Sequence, residues 1–256
     1  MEIVNIRATS IDYWNENSRW YNLWVRHNNY HFEIINLLKT FVRPGWKILD
    51  IGAGTGVLSI PLALQGCHVT AIEPSIEMRK IFYDEIDDKK AFNILIDERR
   101  WEDFSSFGVR EYELVIASNS LHLTDLGFSD ALSKVFLLEP KFVFLVTEGN
   151  LLVKSHVEEV YGFSNILEKS LIVESSYVYH YIDEVFEHWS FKNKRPPNSL
   201  ERVKIMSEVT YENGHFWKKG SVRVNINLWA KFKDVSFMRD EFFNNKEMSS
   251  YNEICR

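Results

Sequence analysis

Cysteine is nearly absent from this chain. It has two, Cys67 and Cys255, too few for a disulfide framework or a thiolate zinc site. Positive charge is not in excess either. The 30 Lys and Arg stand against 36 Asp and Glu, a formal net charge of −6. Coating nucleic acid requires a cationic surface that neutralises phosphates, so the bulk charge argues against that role. A local basic stretch remains, from Lys192 to Lys204 with Lys218 and Lys219. No apolar run approaches the ~18 residues of a membrane-spanning helix; KFVFLV is typical of the longest. The start, MEIVNIRATS, has no basic segment followed by an apolar one, so no signal peptide is expected. These absences together point to a reducing, cytoplasmic setting. Repeats and low-complexity tracts are missing as well.

What is present is an ordinary globular composition with one excess. Apolar residues make up 45% and charged residues 26%, which is enough apolar surface for a packed core. A length of 256 residues allows one large domain or two small ones. The excess is aromatic: eight Trp, eleven Tyr and eighteen Phe.

Periodicity sets the organisation. From Ile11 to Leu38, apolar and aromatic residues recur at three- and four-residue steps, which predicts helix. Pro44-Gly45 breaks it. WKILDIGAG then reads as a buried strand entering a tight turn, and VLSIPLALQG as a helix closed by Gly66. CHVTAIEP, FNILID, YELVIASN and KFVFLVTEG read as further strands, with SIEMRKIFYDEI and SDALSKVFLLE as helices between them. Strands that are apolar almost throughout, alternating with helices, predict an α/β doubly wound, mostly parallel sheet covered on both faces. Such sheets bind ligands beyond the carboxyl ends of their strands, here just after Leu49, Ile72, Ile96 and Ile116. Past Gly149, LLVKSHVEEVYGFSNILEK reads as helix, and Ser175 to Pro197 as an aromatic, irregular stretch with a short helix near Ile182–Trp189. VKIMSEVTYENGHFWKKGSVRVNINLWAKF alternates around KKGS and reads as an antiparallel hairpin.

The chemistry-bearing segment is Asp50-Ile51-Gly52-Ala53-Gly54-Thr55-Gly56. Glycines in a strand-to-helix turn permit positive φ and close ligand approach. The dinucleotide fingerprint would place its third glycine at position 57, which is Val57, and no Gly-Lys-Ser/Thr follows. The NTPase phosphate loop is therefore excluded, and a degenerate nucleotide-binding domain is the bland alternative.

Asp50 with this glycine spacing resembles motif I of the class I S-adenosylmethionine-dependent methyltransferases. The resemblance covers residues 46–150 well and the last 50 by architecture. It implies a Rossmann-like sheet of seven strands closed by a C-terminal antiparallel hairpin. It also implies a helical N-terminal lid over 1–45 and a cofactor-binding domain over 46–256 with an insert at about 151–200. The implied cofactor is S-adenosyl-L-methionine, with S-adenosyl-L-homocysteine as product. The implied cofactor residues are Asp50, Gly52, Ala53, Gly54 and Gly56 of the loop, Glu73 and Pro74 after the second strand, Glu98 and Arg99 after the third, and Ser118 and Asn119 after the fourth. Glu73 would hold the ribose hydroxyls, which dehydrogenases also do with an acid. Glu98 would meet the adenine amino group and the Arg99 backbone its ring, although Arg99 and Trp101 depart from the family pattern. Ser118 and Asn119 would lie beneath the methyl.

Three residues are candidates for a catalytic proton acceptor. His122 has an ordinary pKa near 6.5; His180 and Tyr181 sit in the aromatic stretch. The competing reading of His122 is packing at a strand-to-helix junction. His27 and His31 share a helix face, but no acidic third ligand lies in register, so no metal site is expected. Tyr21 and Trp24 of the lid, with Tyr177, are candidate walls of an acceptor pocket, against ordinary core packing; Arg19 is a candidate contact for the methionine carboxylate. An aromatic pocket would favour a flat, apolar or cationic acceptor. The expected partner is a small-molecule acceptor, without membrane or nucleic acid. An N/D-P-P-Y/F segment of base- or glutamine-modifying enzymes is lacking, since the fourth strand ends SNSL. A protein or RNA methyltransferase docking through the basic stretch, and a non-catalytic cofactor-binding regulator, are the alternatives. The acceptor atom and the oligomeric state stay open.

Overall fold

The computed structural model describes residues 10–105, 112–149 and 161–232. Cys255 and residues 151–160 of the expected 151–169 helix lie outside them. The N-terminal helical stretch is two helices, α1 (Ile11–His27) and α2 (Phe32–Phe41). Ser10 caps α1 by accepting from the Tyr13 N–H. Asn28 ends it: its side-chain amide donates to the Trp24 carbonyl, and its Oδ1 accepts from the Tyr30 N–H at 2.7 Å. Short amide side chains compete with the helix ladder in this way, so the continuous apolar period conceals a break.

The next half of the chain alternates as expected: β1 (Lys47–Ile51), α3 (Ser59–Leu64), β2 (His68–Ile72), α4 (Ile76–Lys89), β3 (Ile94–Asp97), β4 (Leu114–Ser118), α5 (Phe128–Leu137) and β5 (Phe142–Glu148). These five strands are parallel. Two more, β6 (Phe163–Glu174) and β10 (Ser221–Lys231), complete a seven-stranded sheet of order β3-β2-β1-β4-β5-β10-β6. β10 runs antiparallel to both its neighbours. One face of the sheet packs Ile34, Leu38 and Phe82 of α2 and α4. The other packs Leu132 and Phe136 of α5 with Trp101 and Trp229. Burial on both faces is why the central strands carry almost no polar residue.

Two expectations for the C-terminal part are corrected. The described part of LLVKSHVEEVYGFSNILEK is strand β6, not helix. Its side chains alternate in exposure from Leu167 onward, and it pairs with β10 from end to end; long-range pairing overrides a local helical pattern. The KKGS turn does not close a hairpin within the main sheet. β7 (Tyr177–Tyr179), β8 (Thr210–Glu212) and β9 (His215–Lys218) form a separate antiparallel sheet of order β7-β9-β8, while β10 crosses to the large one. The turn that does close a hairpin is Asn213-Gly214, both at positive φ between paired Glu212 and His215, the geometry that suits a two-residue connection. VKIMS belongs to a helix instead. The additional elements thus lie between β6 and β10: the small sheet, α6 (Ile182–Asn193) and α7 (Ser199–Ser207).

α1 lies between the large sheet and this insert. Asn15 Oδ1 accepts from Ser75 Oγ at 2.8 Å and from the Glu77 N–H at 3.3 Å, anchoring α1 to the start of α4. On the other side Trp20 stacks on His188 of α6, with centroids 4.7 Å apart, and Trp24 Nε1 donates to Ser175 Oγ.

Candidate functional site

The sheet reverses its winding between β1 and β4, which lie side by side although β2 and β3 intervene in sequence. Crossovers leave in opposite directions there and open a crevice at the carboxyl ends. A cavity of about 670 Å³ occupies this position, roofed by α1 and the insert. Its volume lies within the range of cofactor and small-ligand sites.

The floor is the loop after β1. Gly52 has φ +70°, and a Cβ there would come within 2.5 Å of Ser120 Cβ, so the two loops meet only because the position is bare. Ser120 Oγ donates to the Ile51 carbonyl across the same gap. Gly56 seals the far side, where a Cβ would lie 2.0 Å from the Phe82 ring of α4.

Two carboxyl groups are buried beside this loop. Asp50 accepts from Ser59 Oγ at 2.7 Å, yet burial pushes its pKa up to about 6. Glu73, 6% exposed, accepts from the Gly54 and Ser75 N–H groups, each at 2.8 Å. Burial outweighs those bonds and raises Glu73 to about 7. Arg79 fixes the same corner by donating to the Glu73 and Pro74 carbonyls. The Tyr21 hydroxyl faces the pair; burial and then the Glu73 and Asp50 charges hold it well above the usual phenol range.

At the end of β4, Asn119 adopts left-handed φ (+52°). Its Nδ2 donates to the Tyr30 hydroxyl at 2.6 Å and to Glu148 at 3.3 Å, while its Oδ1 is buried without a hydrogen-bond partner among the described residues. His122 follows on a short 3₁₀ turn and lines the cavity; burial lowers its pKa.

The cavity gathers most of the sequence candidates. Asp50, Gly52, Ala53 and Gly54 line it, as do Glu73, Pro74, Ser118 and Asn119. Tyr21, Trp24 and Tyr177 form walls beside His122. Six candidates are not among its lining residues. Gly56 is packed under Phe82. The Glu98 carboxylate turns to Arg79, and Arg99 folds onto Asp97. His180 sits between the His27 and His215 rings, and Tyr181 is 71% exposed at the start of α6. Arg19 pairs with Glu184 and Glu187 on the outside. His27 and His31 diverge: His27 turns to the Leu23 carbonyl, whereas His31 packs on Trp24 and Tyr30 and lines the cavity. Burial holds His31 neutral, with its pKa down at about 3.

Residues not singled out from the sequence also enter. Arg100, Trp101 and Glu102 replace Glu98 and Arg99 at the β3 end, and Asn17, Glu148 and Lys192 join from three elements. Asn17 carried a legible signal, a polar residue within the apolar period of α1. Lys192 was legible only as the start of the basic stretch, and tertiary packing turns it inward.

These features fit S-adenosylmethionine. The cofactor is a sulfonium cation, and the loop presents two buried carboxyls; Asn119 presents an unpartnered buried acceptor. Both kinds of group gain from a polar, positively charged ligand.

Comparison with known proteins agrees. Residues 48–138 match the family model described as a methyltransferase domain. No curated protein matches. The fold is similar to magnesium protoporphyrin IX methyltransferase (ChlM) of Synechocystis PCC 6803, solved with bound S-adenosylmethionine: 15% identity, TM-score 0.53, covering 89% of this chain and 99% of that one. It is also similar to YcgJ of Bacillus subtilis (12%, TM-score 0.53, 78% and 99% covered). A third similar fold is the [4+2]-cyclase SpnF (11%, TM-score 0.51, 78% and 80% covered). At these identities the likeness is one of fold. Residues 48–138 thus match a methyltransferase domain, within a chain whose fold is that of the structures named.

Proposed function

We propose that this protein transfers the methyl group of S-adenosylmethionine to a small organic acceptor bound in the roofed cavity. The carrying observation is the roof. α1 is pinned to the start of α4 by Asn15 and to the insert by Trp24 and Arg19, leaving a chamber rather than an open face.

S-adenosylmethionine supplies a sulfonium-activated methyl for in-line displacement by the acceptor's nucleophile. In this reading Gly52, Ala53 and Gly54 offer bare backbone to the cofactor, and Asp50 and Glu73 meet its positive charge and ribose. Ser118 and Asn119 orient its methionine end. Tyr21, Trp24 and Tyr177 exclude water from the acceptor side. Alignment of two bound reactants accounts for most of the expected acceleration, about 7–11 kcal/mol. Where the acceptor carries a proton, His122 takes it, since a lowered pKa keeps its imidazole neutral at pH 7.

The basic stretch supports the small acceptor over RNA. Lys194 pairs with Glu16, Arg195 with Glu201, Lys218 with Glu208 and Lys219 with Glu212. Cations already paired are poorly placed to collect phosphates. Two titrations test the proposal. Calorimetry should show S-adenosylmethionine and S-adenosylhomocysteine binding, and bulk tRNA should show no salt-dependent affinity. Cofactor binding failing, or tRNA affinity falling steeply with log salt, would overturn it.

A further inference from the structure

Four of the insert's cations are neutralised on its surface, as described above. Lys192 is different. It extends from the last turn of α6 and lines the cavity. Its ammonium lies 5.1 Å from the centre of the Tyr177 ring. It makes no ion pair or hydrogen bond among the described residues; the charge acting on it is a second cation, Lys218. Lys218 is itself paired with Glu208, so the unpaired ammonium on the insert side of the chamber is that of Lys192. The opposite end holds Asp50 and Glu73. The chamber therefore has carboxyls at the glycine loop and, with Glu148, at the end of β5, and an unpaired ammonium at the insert.

We propose that Lys192 binds an anionic group, carboxylate or phosphate, on the methyl acceptor, so that the acceptor is a small anion with a flat body. This deepens the methyltransferase reading of the same cavity and rests on it. A cationic cofactor occupies the acidic end, which leaves the basic end for the acceptor. Tyr13 and Tyr177 both line the cavity, and Tyr13 packs on Phe191, the residue before Lys192. A ring stacked there would place an attached anion within reach of the ammonium. Burial already disfavours the charged form of Lys192, so an anion relieves a standing cost rather than competing with water. The aromatic walls alone had favoured an apolar or cationic acceptor; Lys192 reverses the sign.

The test uses the full chain saturated with S-adenosylhomocysteine, with three probes: benzoate, phenyl phosphate and neutral benzamide. Binding is followed by calorimetry. At least one anion should bind tenfold or more tightly than benzamide, and which one distinguishes carboxylate from phosphate. Lys192→Met should abolish that preference and Lys192→Arg should retain most of it. Lys194→Met, which removes a paired surface cation, should leave the preference intact. Equal binding of benzamide and both anions, no binding of any probe, or a preference that survives Lys192→Met overturns the proposal. The S-adenosylhomocysteine titration of each variant is read separately. Its failure in wild type sinks the parent reading; its persistence in Lys192→Met shows a folded cofactor site, so the loss then belongs to Lys192.

Discussion

Replacing Glu73 with Gln tests the electrostatic account of the cofactor site. The wild-type carboxyl is raised from 4.5 to about 7, chiefly by burial. A cationic cofactor binds the ionised form, so binding must first remove the proton. At pH 6 about nine in ten Glu73 groups are protonated, and at pH 8 about one in ten. Affinity for S-adenosylmethionine should therefore rise about tenfold across this window, equivalent to about 1.4 kcal/mol. Stability of the unliganded fold runs the opposite way. The folded carboxyl holds its proton more tightly than the unfolded chain does. Its stabilising contribution is thus fully present below pH 4.5 and is lost as pH rises to about 7, about 3 kcal/mol in all. Glu73→Gln keeps the side-chain shape but cannot ionise, and one of its two backbone contacts becomes a donor facing a donor. Cofactor affinity at pH 8 should fall by about 1.5–3 kcal/mol, the worth of a hydrogen bond to a charged group. The variant's affinity should also be flat, or nearly so, from pH 6 to 8. Calorimetry at pH 6, 7 and 8 in two buffers of different ionisation enthalpy reads both the affinity and the proton released. A flat wild-type profile would refute the reasoning. So would a Gln variant that keeps the full tenfold rise, because the titrating group would then be Asp50 or another.

Two further variants probe the frame around the site. Gly56→Ala places a Cβ within 2.0 Å of the Phe82 ring at φ +81°, so either the loop or α4 must move; a loss of more than about 2 kcal/mol in denaturant unfolding is expected, and a change under about 0.5 kcal/mol would contradict the packing. Trp24→Ala removes an 8%-exposed indole that packs on Tyr21, Tyr30 and His31. It should cost about 3–5 kcal/mol and speed amide exchange in α1 beyond exchange in β1. Uniform acceleration in both elements would mean α1 has no local opening of its own.

Much of the proposed cofactor end was legible in advance, because its residues are adjacent in sequence. A strand, a glycine turn and a helix lie within Lys47 to Leu64, and the acid after β2 is placed by strand length alone. The β3 end was displaced by two or more positions. Glu98 and Arg99 were expected at the site, but ion pairs with Arg79 and Asp97 draw them off, and Arg100, Trp101 and Glu102 line the cavity instead. His31 was expected to share a helix face with His27, but the break at Asn28 separates them and turns His31 inward. The Asn-Gly pair at 213–214 was the overlooked short-range signal: it marks the β8–β9 hairpin more strongly than KKGS.

Local sequence by itself determined the doubly wound half of the fold and the glycine loop. Those depend on hydrophobic period and on backbone freedom at single positions, both of which act over a few residues. Only the tertiary structure decided where β6, β9 and β10 pair, since a strand's partner is a property of distant segments. Only the tertiary structure decided which of the many Trp and Tyr residues face a ligand and which merely fill a core. It also separated Lys192 from its neighbours, which an equally basic stretch of sequence could not do. Whether a cation is paired or waiting depends on carboxylates contributed by other elements, Glu16 on α1 and Glu208 beyond α7 among them.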